Sequence, residues 1–172
     1  TANAASSVTE LEGEELTTLY KALRAITGLT YQNKMSRVGI SAIGGVEVVL
    51  NVMTAFPNCQ PLQWIACVPV RNLAHCDIGK KKALDANGMQ IVLTSIQNHV
   101  GSAVVCESAL YALVNMIKES KKNTERLIGL GGAAVLVQVK NQWLDNVVVQ
   151  PPLRRLSKMI AEEIHSWVED CE

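Results

Sequence analysis

Apolar positions along the chain come in short blocks with helical spacing, and several blocks open on glycine. After Gly45, the residues Val48, Val49, Val52 and Met53 recur at the spacing of one helix face, and Pro57 follows the block. A longer block, Ser102 to Glu119, sets Val105, Ala109, Leu110, Leu113, Met116 and Ile117 on one stripe. β-branched residues are frequent, yet no period-2 alternation extends beyond a few residues, so the pattern predicts an all-α chain.

The blocks recur. Ile43-Gly44-Gly45-Val46-Glu47-Val48-Val49-Leu50 aligns with Ala86-Asn87-Gly88-Met89-Gln90-Ile91-Val92-Leu93 and with Leu130-Gly131-Gly132-Ala133-Ala134-Val135-Leu136-Val137, the second glycines lying 43 and 44 residues apart. Asn72 and Asn115 each follow their glycine by 27 residues, and Ala66 and Ala109 each precede their asparagine by six. Counting 43 on from Asn115 reaches Lys158, with Pro152 at the alanine position, in a more divergent third copy. Leu16 to Ile26 reads as a partial opening copy with Ala25 in place of asparagine. A period of this size points to a helical solenoid.

Each copy predicts three helices. The first is short (Lys80 to Ala86, Asn123 to Gly129) and ends at the glycine, which permits a sharp turn. The second runs Val46 to Phe56, and the third, longest, starts near Pro61, Ser102 or Pro151-Pro152, where proline suits a first turn. Pro69 falls inside the first long helix, where it removes one backbone bond and predicts a distortion near Ile65 to Pro69. The expected organisation is a flexible segment over 1–9, then one domain over 10–172: a helical cap over 10–43 and units over about 44–86, 87–129 and 130–168.

The period, the double glycine before an apolar helix, and the segments Ala66-Cys67-Val68-Pro69-Val70-Arg71-Asn72-Leu73-Ala74 and Ala109-Leu110-Tyr111-Ala112-Leu113-Val114-Asn115-Met116 resemble the armadillo repeat. Gly44 to Pro57 is similar to a variety found in algal and protist armadillo proteins, and HEAT repeats are the nearest alternative. The resemblance spans about residues 10–168. It implies a right-handed superhelix whose third helices line a concave groove, where asparagines hold the backbone of an extended partner segment. Peptide-binding members such as importin-α carry an aromatic four residues before that asparagine. Here Val68, Tyr111 and Arg154 occupy the position, so only Tyr111/Asn115 keeps the pattern. With no acidic lining suited to a basic nuclear-import signal, the chain departs from importins.

Composition narrows the function. The chain is 48% hydrophobic, enough for a core, and its formal net charge of zero argues against a nucleic-acid binder working by bulk charge. No apolar run approaches the ~20 residues of a membrane-spanning helix. Cys59, Cys67, Cys76, Cys106 and Cys171 show no C-x-x-C spacing, which suggests reduced thiols in an intracellular, cytoplasmic setting, or an organelle if the N-terminus is processed. No phosphate loop, nucleophile elbow or metal-ligand cluster is visible, so neither catalysis, cofactor nor metal is expected. Lys80-Lys81-Lys82 and Lys121-Lys122 read as solvated connectors at matching places. The expectation is a non-catalytic module that binds a protein or peptide through Trp64, Val68, Asn72, Tyr111, Asn115, Arg154 and Lys158. The alternative is a fixed subunit of a larger assembly, anchored by Trp143 and Trp167 if they are exposed.

Overall fold

The computed structural model describes residues 13–169, with side chains through Ser166. The expected flexible segment over 1–9 lies outside the described residues. These form ten α-helices and no strand: α1 (Gly13–Thr30), α2 (Lys34–Ala42), α3 (Gly45–Ala55), α4 (Gln60–Leu73), α5 (Asp77–Asp85), α6 (Gly88–Asn98), α7 (Ala103–Ile117), α8 (Lys121–Gly129), α9 (Gly132–Gln142) and α10 (Gln150–Glu169). After α1, the order short, medium, long occurs three times. The triplets start at Lys34, Asp77 and Lys121. The triplets thus start nine or ten residues before the units expected at about 44, 87 and 130.

The turn between the short and medium helices explains the paired glycines. Its first residue is left-handed in all three copies: Gly44 at φ +94°, Asn87 at φ +57° and Gly131 at φ +82°. Asparagine is among the few residues with a side chain that tolerate this region. The second residue needs space instead. A Cβ on Gly45, Gly88 or Gly132 would stand 2.8, 2.6 or 2.8 Å from the carbonyl oxygen of Ile40, Ala83 or Leu127, closer than contact allows. The same bonds close each turn: Ile43, Ala86 and Leu130 donate to Gly39, Lys82 and Arg126, and Gly44, Asn87 and Gly131 donate to Ser41, Leu84 and Ile128. Between α2 and α3 the axis bends by 72°.

Like helices pack on like. α1 lies against α4, α4 against α7 and α7 against α10, while α3 meets α6 and α6 meets α9. One apolar core runs through the array, from Leu23 through Val49, Val92 and Leu113 to Leu156 and Ile160. α4 continues through Pro69 to Leu73 as one helix, so the missing donor does not end it. Pro61 and Pro152 sit in the first turns of α4 and α10, as the sequence predicts. The lysine runs are placed differently from expectation. Lys80, Lys81 and Lys82 lie within α5, whereas Lys121 and Lys122 open α8. The two runs are thus out of register, and Lys82 is tied to Glu47 of α3 at 2.7 Å rather than solvated.

Gly88→Ala is expected to lower stability by about 2–3 kcal/mol, the scale of an overpacked interior. Gly101→Ala, at a turn where a Cβ meets nothing within 4 Å, is expected to change it by less than ~0.5 kcal/mol. Urea unfolding of the two variants measures the difference.

Candidate functional site

The long helices bring most of the sequence-predicted residues onto one face. Trp64, Val68 and Asn72 occupy successive turns of α4, and Tyr111 and Asn115 take the matching positions on α7; all five are half-buried. The Trp64 ring lies 6.4 Å from that of Tyr20 on α1, tilted by 47°. Arg71, which the sequence reading did not single out, places its guanidinium 4.2 Å from the centre of the Tyr111 ring, a cation–π contact across the α4–α7 seam. Its signal in the sequence is its place beside Asn72, directly before the ladder position.

The asparagines are donors to the preceding long helix. Asn115 Nδ2 donates to the Arg71 carbonyl at 2.8 Å, and Asn72 Nδ2 to the Thr30 hydroxyl at 3.2 Å. Both acceptors lie at the C-terminal end of a helix, where backbone carbonyls lack intrahelical partners. Thr30 Oγ1 in turn donates to the Ile26 carbonyl at 2.8 Å. The two asparagines thus tie neighbouring long helices together, and this spends only their amide donors. Neither Oδ1 accepts a hydrogen bond from the described residues.

The third copy carries one extra residue in its lead-in, at the turn where Glu119 takes φ +61°. Counted from Gly132, the asparagine position is Met159 and the alanine position is Leu153, not the Lys158 and Pro152 obtained by counting from Asn115. Burial supports this register. Leu153, Leu156 and Ile160 are buried, matching Ala66, Pro69 and Leu73 of α4. Arg154 and Lys158 are exposed on α10, where Arg154 Nε donates to Gln150 Oε1 at 3.3 Å and Lys158 pairs with Glu162 at 3.7 Å. They border the face instead of continuing its asparagine row.

Two ladders escaped the sequence reading. Phe56, His99 and Trp143 cap the C-termini of the three medium helices. The His99 ring meets the Pro57 carbonyl at 2.8 Å, and Trp143 Nε1 donates to the Val100 carbonyl at 2.7 Å, one triplet back. Trp143 is thus half-buried and engaged within the fold, not a free anchor; the Trp167 side chain lies outside the described residues. Gln63, Cys106 and Gln150 follow the second glycine by eighteen residues in every copy. Each donates to the carbonyl of its cap residue: Gln63 to Phe56 at 2.9 Å, Cys106 to His99 at 3.8 Å and Gln150 to Trp143 at 2.6 Å. A fixed offset was the available signal, hidden because the residue types differ.

No group of three His, Cys, Asp or Glu side chains that could hold a metal occurs among the described residues, and Cys59, Cys67, Cys76 and Cys106 are free thiols. No single described helix is long and apolar enough to cross a membrane; α2 and α3 reach that length and apolarity only together, across their 72° bend. No family model, curated protein or solved structure matches the chain.

Burial pushes the Cys67 thiol up to about 12 and the Cys106 thiol up to about 11. In the unfolded chain both ionise near the ordinary thiol value of ~8.5. The folded state holds more protons between these limits, so stability is full below about pH 8.5 and is lost as pH rises toward 11–12. A Cys67→Ala variant is expected to show a shallower alkaline decline, read as melting temperature against pH. An unchanged slope would contradict the assignment.

Proposed function

We propose that this chain is a non-catalytic protein-binding module of armadillo type: a right-handed α-solenoid in which α1 stands for an incomplete leading unit and three full units follow. Support comes from the thrice-repeated helix order, the shared left-handed turn and the packing of each long helix on its counterpart. The binding face is the row of long helices, and the ligand is an extended segment of a protein partner. The observation that carries this reading is the pair Asn72 and Asn115. Their Nδ2 atoms fix them to the preceding helix, which holds each Oδ1 available for a peptide N–H. Around them the face offers Trp64, Val68 and the Arg71–Tyr111 pair, with Arg154 and Lys158 adding positive charge at one end. Aromatic and arginine side chains are the usual anchors of such contacts. The expected setting remains intracellular.

A second reading, a fixed subunit of a larger assembly, draws on the far end of the array. A groove of about 270 Å³ between α9 and α10 is walled by Leu136, Val137, Ile160 and Ile164. Val137 is 58% exposed, whereas Leu50 and Leu93 at the matching positions are buried. Lys140 and Ser157 make this end more polar than the covered faces before it.

Quantitative cross-linking and pull-down against native extract separate the readings. A Trp64→Ala/Tyr111→Ala variant is expected to lose at least about tenfold of captured partner, about 1.4 kcal/mol, while Val137→Asp retains it. Melting temperatures of both variants check the fold. Undiminished capture by the first variant and loss with the second would favour the subunit reading.

A further inference from the structure

Away from the long-helix face, a cleft of about 170 Å³ opens between α3, α4 and α6. Its apolar walls are Met53, Pro57 and Ile91, and no lining side chain is charged. The side-chain amides at its rim, Gln90 and Asn98, are exposed, and their donors are used within the fold. Thr54 Oγ1 donates to the Leu50 carbonyl at 3.0 Å, Asn98 Nδ2 to the Pro57 carbonyl at 3.4 Å and Gln90 Nε2 to the Thr94 hydroxyl at 3.5 Å.

Gln63 is the exception. It lines the cleft and is only 1% exposed. Its Nε2 donates to the Met53 carbonyl at 2.8 Å and the Phe56 carbonyl at 2.9 Å. Two carbonyl partners fix the orientation of the amide, since only nitrogen can serve both. Its Oε1 accepts no hydrogen bond from the described residues, so a donor brought by a ligand gains a bond there.

We propose that this cleft binds a small neutral molecule with a ring-sized apolar body and a single hydrogen-bond donor, the donor meeting Gln63 Oε1. Size follows from volume: an apolar cavity of about 150 Å³ accommodates benzene. Neutrality follows from the lining, which would leave a buried ion unpaired. One donor follows from Gln63 Oε1, because the other lining amides, Gln90 and Asn98, are exposed to solvent. The site is particular to the first junction, because one triplet on Cys106 stands in place of Gln63 and Val139 in place of Ser95.

Phenol is the probe, with toluene as its counterpart lacking the donor, titrated into the whole 172-residue chain and followed by ¹H–¹⁵N NMR. Phenol is expected to shift the Gln63 side-chain amide and the Ile91 and Ser95 backbone signals saturably, with Kd on the order of 1 mM for so small a ligand. Toluene is expected to bind roughly tenfold more weakly for want of the hydrogen bond. Thr94→Phe, which fills the cleft, is expected to abolish phenol binding at an unchanged melting temperature; if that variant melts early, Gln90→Trp at the exposed rim takes its place. Absence of saturable shifts, equal affinity for phenol and toluene, or undiminished phenol binding in the filled variant would each overturn the proposal.

Discussion

The close approach of a medium helix to the end of the short helix before it sets the rest of the structure. Gly45, Gly88 and Gly132 meet the carbonyls of Ile40, Ala83 and Leu127 at distances no side chain allows. The chain reaches that contact only through a left-handed residue immediately before it. Both demands fall on adjacent positions, and so they appear in the sequence as a pair of residues chosen for two different reasons. Steric exclusion carries this constraint, and it leaves the crossing of the two helices little freedom.

Once the crossing is set, each long helix packs on the long helix of the triplet before it. Each triplet reaches back to the one before. Asn115 meets a helix-end carbonyl of α4, Trp143 meets the Val100 carbonyl, and Arg126 donates to the Leu84 carbonyl at 3.1 Å and to Asn87 Oδ1 at 3.3 Å. The first of these bonds satisfies a carbonyl that a helix end leaves without an intrahelical partner. Together they hold the long-helix face in one arrangement, and a pre-ordered surface loses less freedom on binding. Spending the asparagine donors within the fold and leaving the oxygens available joins the structural role of these residues to their proposed role in recognition.

Much of the architecture was legible because glycine and helical spacing leave marks that do not depend on neighbours. The period, the helix order and the positions of Gly45, Gly88 and Gly132 could be read directly. Asn72 and Asn115 stood out by their shared offset. The rest depended on register and on partners. A single added residue before α8 moved the third asparagine position from Lys158 to Met159, and counting from an asparagine could not detect it. Gln63, Cys106 and Gln150 serve one purpose with different chemistry, so residue identity concealed the offset. Arg71 acquires its role only when α7 brings Tyr111 beneath it.

The proposed binding face is tested most directly by hydrogen–deuterium exchange of the chain with and without a partner captured from its native source. The account predicts slowed exchange concentrated in the second halves of α4 and α7, around Val68 to Leu73 and Tyr111 to Met116, with little change in α2, α5 and α8. Protection confined to α9 and α10, leaving α4 and α7 unaltered, would contradict it.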